Sequence, residues 1–542
     1  AGTINGNNTT EGTIQVTGAT KTFSGIVGGS QVLTLVDIDD IAVFSANVSA
    51  TTANLAATTT FAGDTTLTTL TVQSASYNVI FNGSSNTITN AANFQNTGTV
   101  TFGNASGDSS LFNGGLTTTA PSQINIGGTL QTSNDAMSLG DSDTAIVLVA
   151  NTTLNTGSAA LTLNATVNGG YTLTLNSTDA TTFAGVVGGS TALTGIITNS
   201  GGTVVFNTTA ISTDGDQTYN DAATLGGNIT FTTTGDNIVF ASTLNSDSTT
   251  RTLDIVAGSG NTTFTGAVGG SEPLGNTTIG TAVLTGAAIK AQGTLAITNS
   301  GTSEIDGVIS DGGSALALTK AGAGTLTLSG DNTYTGATTV SAGVLAITHA
   351  DALGGTSGAT TVADGAYLKL SNGINVAEAI TISGTGISST GVIRNTSGNN
   401  TYSGAITLGA NSEIQSDSGT LTLNVGSGSA IAASNKNLTF DGAGNVTVAD
   451  RIATGSGTLT KTGNGTLTLS AANTYTGATT ISDGTLAISN ATGLGTTDAA
   501  TTVASGGSLS ISGGITVAEA ITINGTGHSS GGAIIFTANN NT

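Results

Sequence analysis

The sequence lacks cysteine and tryptophan, and its 542 residues include one methionine and two prolines. The absence of cysteine is compatible with an exported protein but does not prove export, because disulfide-free chains occur both outside and inside cells. The scarcity of proline and the lack of a strict third-residue glycine period exclude a collagen-like fibre. No apolar run reaches the roughly 20 residues that a membrane helix needs, so we predict no direct membrane insertion by this fragment.

Charge is also scarce and unequal in sign. Charged residues make up 7% of the chain, and 9 lysines and arginines stand against 31 aspartates and glutamates, for a formal net charge of -22. Binding to nucleic acid or to anionic lipid needs clusters of basic side chains. We therefore predict no nucleic-acid partner.

The residues that are abundant indicate a folded chain. Hydrophobic residues supply 37% of the sequence, and there are 80 glycines. Disordered chains combine low hydrophobicity with high net charge and are rich in proline, which does not describe this composition. The apolar residues therefore form a buried core.

Internal repeats indicate the architecture. The 22 residues from Thr319 to Val340 recur from Thr460 to Ile481, 141 residues later, and the correspondence continues without gaps for about 70 residues. A degenerate copy, Asn-Thr-Tyr-Ser-Gly, occupies 400–404 between them. Self-similarity of this kind is typical of solenoid proteins, in which each repeat packs on its neighbours.

The repeats read as short strands. After Gly-Thr-Leu and related segments, apolar residues alternate with polar ones, and the pairs that share one face are Leu326/Leu328, Leu345/Ile347 and Leu368/Leu370. Alternation with period two predicts strands, and spacings of 19 and 23 residues leave no room for a crossover helix. We predict an all-β fold, a parallel β-helix (β-solenoid) forming an elongated rod of about 20–25 residues per coil.

The front of the chain has a different repeat. The pattern Phe-x-Gly-x-Val-Gly-Gly-Ser begins at Phe23, Phe183 and Phe264. No proline-rich or serine-rich linker separates it from the later repeats. We predict one continuous solenoid in two parts, 1–310 with the front repeat and 311–542 with the 141-residue unit.

The later repeat resembles a known family. The pattern Lys-x-Gly-x-Gly-Thr-Leu-x-Leu-Ser-x-x-Asn-Thr-Tyr-Thr-Gly-x-Thr, from Lys320 and again from Lys461, closely resembles the autotransporter-associated β-strand repeat of bacterial autotransporter passengers. The front repeat is similar to repeats of giant surface adhesins and of filamentous-haemagglutinin-like proteins. The resemblance implies a right-handed parallel β-helix that is displayed on, or secreted from, a Gram-negative cell.

The resemblance also implies a longer protein, since the passenger of an autotransporter continues into a C-terminal membrane barrel. Here the chain stops at Asn539-Asn-Asn-Thr542, which corresponds to the middle of the earlier copy near Thr401. We expect the 311–542 part to be truncated at its C-terminal end.

No catalytic residues are predicted. His349 and His528 are the only histidines, and position 349 is Asn490 in the second copy, so we interpret His349 as a surface or turn residue. Glu378 and Glu519 are equivalent positions of the repeat, which favours surface sites over a hydrolytic pair. We predict a non-enzymatic protein without a cofactor. Tyr334, Tyr402 and Tyr475 recur at one place in the repeat and are interpreted as structural corner residues, with sugar stacking as the alternative.

Calcium is the one ion that the composition favours, because hard cations bind clustered oxygen ligands. The candidate ligands are the densest acid clusters: Asp37, Asp39, Asp40, Asp141, Asp143, Asp214 and Asp216. None completes an EF-hand loop or a calcium β-roll repeat, so solvated turn acids are the competing interpretation.

These features favour a cell-surface structural and adhesive protein, a repetitive stalk whose partners are glycans or proteins of host cells or surfaces. The alternative is a subunit of a surface layer or extracellular filament, in which copies of the chain assemble through calcium or end-to-end strand pairing. Both hypotheses place the chain outside a Gram-negative cell.

Overall fold

The computed structural model describes residues 2–6 and 11–537. The described chain is all-β apart from one short 3-10 helix, His528–Ser530. The strands are parallel and form a β-solenoid of about 25 turns, which confirms the predicted fold class. Among the described residues, no helix has the length and apolar character needed to cross a membrane.

The chain divides into two compact units, Ala1–Leu274 and Gly275–Thr542. The predicted change of repeat type near residue 310 lies inside the second unit and stays a prediction. Residues 539–542, on which the expected truncation rests, lie outside the described residues.

The strands of the first unit are β1 (Thr13–Val16), β2 (Lys21–Phe23), β3 (Leu33–Ile38), β4 (Ala42–Phe44), β5 (Val48–Leu55), β6 (Thr59–Phe61), β7 (Thr65–Val72), β8 (Val79–Phe81), β9 (Ser85–Ile88), β10 (Ala92–Asn93), β11 (Thr99–Phe102), β12 (Ser109–Phe112), β13 (Leu116–Thr118), β14 (Gln123–Thr132), β15 (Met137–Leu139), β16 (Ala145–Gly157), β17 (Leu161–Leu163), β18 (Thr166–Asn168), β19 (Thr172–Ser177), β20 (Ala180–Phe183), β21 (Gly195–Thr198), β22 (Thr203–Phe206), β23 (Ala210–Thr213), β24 (Gln217–Tyr219), β25 (Ala222–Leu225), β26 (Ile229–Thr233), β27 (Ile238–Phe240), β28 (Leu244–Ser246), β29 (Leu253–Val256) and β30 (Thr262–Phe264).

The strands of the second unit are β31 (Thr277–Thr281), β32 (Leu284–Gly286), β33 (Ile289–Asn299), β34 (Thr302–Ile305), β35 (Ile309–Ala321), β36 (Thr325–Leu328), β37 (Thr338–Val340), β38 (Gly343–Ile347), β39 (Thr360–Val362), β40 (Ala366–Leu370), β41 (Asn375–Val376), β42 (Ile380–Gly384), β43 (Ile393–Asn395), β44 (Asn400–Tyr402), β45 (Ile406–Ser416), β46 (Thr420–Leu423), β47 (Ser429–Ala432), β48 (Leu438–Asp441), β49 (Asn445–Val448), β50 (Arg451–Ala453), β51 (Leu459–Lys461), β52 (Thr466–Leu469), β53 (Thr479–Ile481), β54 (Gly484–Ile488), β55 (Thr501–Val503), β56 (Gly507–Ile511), β57 (Ile521–Ile523) and β58 (Ile534–Phe536).

Most strands pair in parallel with the strand one coil before them and the strand one coil after them. In the second unit, for example, β36 pairs with β38 and β38 pairs with β40, with Leu326, Leu345 and Leu368 in register. Side-chain hydrogen bonds between neighbouring coils join residues that are 17 to 30 positions apart, which brackets the predicted coil length. Inward and outward residues alternate along the strands, as the period-two pattern predicts.

Stacked aromatic side chains form part of the interior of the first unit. Phe44 and Phe61 stack with ring centroids 5.3 Å apart, and Phe61 and Phe81 stack at 5.0 Å. All three rings have no exposed surface. They lie in register on β4, β6 and β8, so each coil places one ring directly on the ring of the coil before it.

Leucine, isoleucine and valine supply most of the interior of the second unit, and a lysine takes one of their inward positions in each repeat. Ile297, Val340, Val362 and Ile382 belong to one in-register inward ladder, and the residue of this ladder on β35, between Ile297 and Val340, is Lys320. On β51 the corresponding inward position is Lys461. The sequence pattern did not predict that these lysines point into the core.

Candidate functional site

The repeat signature forms a buried polar corner around each inward lysine. Lys320 is completely buried, and its Nζ donates hydrogen bonds to the carbonyl oxygens of Ala321 at 2.7 Å, Gly322 at 2.9 Å and Ala342 at 3.2 Å. Burial lowers the pKa of Lys320 to about 8. In the second copy, burial likewise lowers the pKa of Lys461 to about 8. The lysine therefore donates to three backbone carbonyl oxygens, one of which, that of Ala342, belongs to the next coil.

The signature asparagine ties three successive coils together. Asn332 Oδ1 accepts the Ile309 N–H at 2.8 Å, and its Nδ2 donates to the Ala352 carbonyl at 2.7 Å. Asn473 repeats the arrangement, accepting from Ile452 and donating to Gly493. The asparagine is thus a structural residue of the repeat.

The signature tyrosines are core residues. Tyr334, Tyr402 and Tyr475 have no exposed surface, so they present no face on which a sugar could stack. The Tyr334 hydroxyl pairs with Thr338 Oγ1 at 2.7 Å, and Tyr475 pairs with Thr479 in the same way at 2.8 Å. Their rings fix the corner from inside.

Glu378 is not at the surface position that its repeat pattern suggested. Its side chain is 2% exposed, Oε1 accepts the Thr360 hydroxyl at 2.9 Å, and Oε2 has no hydrogen-bond partner. Burial raises its pKa to about 8, because a buried carboxylate loses its hydration. Glu519, the equivalent residue, is half-buried, and its pKa is raised for the same reason.

The shifted pKa values of Glu378 and Lys320 predict that the free energy of unfolding passes through a minimum near pH 8. Between its ordinary pKa of 4.5 and about 8, Glu378 keeps in the folded state a proton that the unfolded chain has lost, so stability falls as pH rises. Above about 8, folded Lys320 has lost a proton that the unfolded chain keeps up to 10.5, so stability rises again. Urea unfolding followed by circular dichroism at pH 5, 6.5, 8 and 9.5 measures the profile.

Replacing Glu378 with glutamine separates its contribution to that profile. We expect Glu378→Gln to be more stable than the wild type at pH 8 and to show a flatter slope between pH 5 and 8. Glu519→Gln is the matched control, and its smaller burial predicts a smaller change. A slope that Glu378→Gln leaves unaltered would show that Glu378 titrates normally in the folded protein.

The calcium candidates lie in three separate places. Most of their carboxylates already accept hydrogen bonds. Asp39 accepts from Gln15 Nε2 at 2.8 Å, Asp141 accepts the N–H of Thr144 at 3.1 Å, and Asp216 accepts the N–H of Asn237 at 2.9 Å. The Asp40 carboxylate accepts the N–H of Ile41, and the Asp143 carboxylate accepts the Ser142 hydroxyl at 3.5 Å. Asp37 lies within β3. At Asp214 it is the backbone oxygen that accepts a hydrogen bond, from the Thr234 hydroxyl. Among the residues that the structure describes, none of the seven belongs to a group of three or more acids, histidines or cysteines.

The structure does bring one such group together, at a place that the sequence did not indicate. Ligand atoms of Asp331, His349 and Asp351 all lie within 4.8 Å of one another. His349 lies in the turn that follows β38, as predicted, and its side chain is 40% exposed. His528 instead lies 3.3 Å from a single carboxylate, that of Asp483.

Outward-facing threonines form the most regular surface of the second unit. Two ladders of five in-register threonines run across successive strands. The first threonine ladder is Thr319, Thr339, Thr361, Thr381 and Thr407, and the second threonine ladder is Thr439, Thr460, Thr480, Thr502 and Thr522. All ten side chains are half-buried or exposed. Neighbouring parallel strands are about 4.8 Å apart, so each ladder presents hydroxyl groups at that repeat.

Comparison with known proteins shows what the repeats are similar to. Residues 318–347 and 459–488 match the family described as passenger-associated-transport-repeat, which confirms the resemblance to autotransporter passengers. The chain is also 32% identical over 272 residues to the adhesin BmaC autotransporter of Brucella suis biovar 1 (strain 1330). That match covers 47% of this chain and 7% of the relative, so the chain spans a small part of the relative's length. No solved structure gives a significant match.

Proposed function

We propose that the chain is part of an autotransporter passenger that is displayed on a Gram-negative cell and attaches it to host cells or surfaces without catalysis. The observation that supports this most directly is the match to a protein named as an autotransporter adhesin, which extends over about half of the chain. The parallel ladders supply the mechanical part of the function, since successive coils are hydrogen bonded to one another.

The threonine ladders are the surface that we assign to attachment. Hydroxyl groups both donate and accept hydrogen bonds, so an in-register row can pair with the hydroxyl groups of a glycan. Each contact is weak, but a row of five gives many at once, and linked contacts add as avidity. The net charge of -22 opposes binding to anionic glycans such as heparan sulfate, so neutral glycans are the proposed ligand class.

A glycan array and a cell-binding assay test this assignment. We expect the purified chain to bind neutral glycans, with little dependence on salt, and to ignore heparan sulfate. Replacing Thr339, Thr361 and Thr381 together with alanine should weaken that binding several-fold, because the row loses its central hydroxyl groups.

The matched control is a separate row of in-register threonines, which belongs to neither threonine ladder and lies on another sheet of the same unit. Thr422, Thr447 and Thr468 are also half-buried and outward-facing. Their triple alanine variant should bind as the wild type does. Equal binding by both triple variants would reject the threonine ladders as the attachment surface, and no binding to cells or glycans would reject the adhesive function of this segment.

Assembly into a surface layer or filament is the second candidate, because successive coils stack by parallel strand pairing, and strand edges of two copies can pair in the same way. Negative-stain electron microscopy with and without a calcium chelator separates the two functions, because filaments that dissolve on chelation would indicate calcium-bridged assembly and single particles would favour the adhesin.

A further inference from the structure

We propose that Asp331, His349 and Asp351 form a binding site for a divalent transition-metal cation, with zinc as the reference ion. The three side chains offer two carboxylate oxygens and one imidazole nitrogen within 4.8 Å of one another. This donor set is a mixed oxygen and nitrogen site, which suits zinc and its neighbours better than calcium or magnesium.

The solenoid itself brings these residues together. Asp331 follows the end of β36 at Leu328, and His349 follows the end of β38 at Ile347, and those two strand ends are paired in register. The carboxyl ends of neighbouring parallel strands lie at one edge of a sheet, so the two turns are stacked one coil apart. A cation held here would cross-link two successive coils.

The second repeat shows that the fold does not need these side chains. The equivalent positions are Ala472, Asn490 and Thr492. His349 Nδ1 accepts the Asp351 N–H at 3.2 Å, and Asn490 Oδ1 accepts the Thr492 N–H at 3.1 Å, so an asparagine does the same structural work.

The backbone of the two turns is also the same. Gly354 donates its N–H to the Asp351 carbonyl at 2.9 Å, and Gly495 donates to the Thr492 carbonyl at 3.1 Å. Two acids and an imidazole have therefore been placed on a turn that folds equally well with alanine, asparagine and threonine. Structure alone does not account for them.

The charges of the site favour a cation. The Asp331 and Asp351 carboxylates lie within 4.8 Å of each other, and the Asp351 carboxylate is 3.9 Å from His349 Nδ1. Two carboxylates this close repel each other, and a divalent ion between them removes the repulsion. The side chains of His349 and Asp351 are 40% and 62% exposed, so an ion can enter from solvent and keep water as its remaining ligands.

Calorimetric titration of the untagged full chain with zinc chloride tests the site. We expect one equivalent of zinc to bind. Asp331→Ala, His349→Asn and Asp351→Thr each import the residue of the second repeat, so each variant should fold. Loss of an outer partner of a metal site already costs about 10–100-fold in affinity, so loss of a ligand should weaken binding by at least about tenfold.

Histidine-selective NMR locates the ion, because the chain has two histidines. Zinc should shift or broaden the imidazole signal of His349 and leave that of His528 unchanged. The combined variant Ala472→Asp, Asn490→His and Thr492→Asp should raise the stoichiometry from one to two.

Three outcomes would overturn the proposal. The first is that neither heat nor a shift of the His349 signal is seen up to about 1 mM zinc. The second is zinc binding that survives all three single substitutions. The third is calcium competing with zinc at equal concentration, which would contradict the metal class.

Discussion

Replacing Phe61 with alanine should destabilise the first unit by about 3–5 kcal/mol, the usual cost of truncating a buried phenylalanine. Phe61 has no exposed surface and is stacked on both sides, against Phe44 and Phe81. The substitution therefore leaves a cavity and removes two ring contacts at once, and each aromatic pair contributes about 0.5–1.5 kcal/mol beyond its burial. Domains are stable by only about 5–15 kcal/mol, so the change is large.

Hydrogen exchange read by mass spectrometry is the measurement, because a long repeat array need not unfold in a single step. In a solenoid each coil contacts only its neighbours, so protection should fall in β4, β6 and β8 and stay unchanged in distant strands such as β52. Ile41→Ala is the control, since Ile41 is 41% exposed and a surface substitution changes stability by about 0.5 kcal/mol or less. If Phe61→Ala exchanged like Ile41→Ala, the stacked rings would not be what holds these coils together.

Most of the fold could be predicted from the sequence because its two strongest signals are local. Alternation of apolar residues with period two gives the strands, and the repeat gives the coil length. Leu326, Leu345 and Leu368, which the sequence placed on one face, are paired in register in the structure. Such a fold is predicted with few errors, because each coil repeats the geometry of the next.

The polar interior could not be predicted, because the same pattern that marks an inward position gives no reason for a charge to occupy it. Lys320 continues an inward ladder of valines and is stable there only because three carbonyl oxygens lie within reach of its Nζ. Glu378 is buried beside Thr360, although its pattern suggested a surface. Each environment depends on a neighbouring coil, since Ala342 is 22 residues from Lys320 and Thr360 is 18 residues from Glu378, although the other two acceptors of Lys320 directly follow it in the chain.

The acid and histidine cluster was missed for the same reason. Asp331 and His349 are 18 positions apart, and the search for ligands in the sequence favoured acids that are adjacent, such as Asp37 and Asp39. In a solenoid the relevant spacing is one coil. Comparing residues one coil apart, together with the substitution of His349 by Asn490 in the second copy, would have pointed to this turn.

Glycine placement shows a second limit of sequence reasoning. A left-handed backbone accounts for glycines such as Gly365, at φ 77°. The glycine of the Asn-Thr-Tyr-x-Gly motif has another role. At Gly336, Gly404 and Gly477 an added Cβ would lie well under 3.0 Å from a backbone carbonyl oxygen of the coil before it. These glycines permit the close approach of two coils.

Replacing Gly404 with alanine should therefore destabilise the second unit by about 3 kcal/mol or more, at the upper end of the usual cost of overpacking. The new Cβ would overlap the Glu378 carbonyl oxygen, which is backbone and cannot rotate away as a flexible side chain would. The two coils have to separate, and the strands on either side of the motif, β42, β44 and β45, should lose protection from hydrogen exchange.

Gly355→Ala is the matched control for this substitution. Gly355 also lies in a loop of the second unit, it has no positive φ, and the nearest atom to an added Cβ is 3.6 Å away, an ordinary contact. Alanine there should leave stability within about 0.5 kcal/mol, since it removes no interaction and restricts the unfolded chain slightly. The close-approach explanation requires the two variants to differ, because both make the same chemical change. If Gly404→Ala were as stable as Gly355→Ala, the coils would have enough freedom to separate at no cost, and the motif glycine would need another explanation.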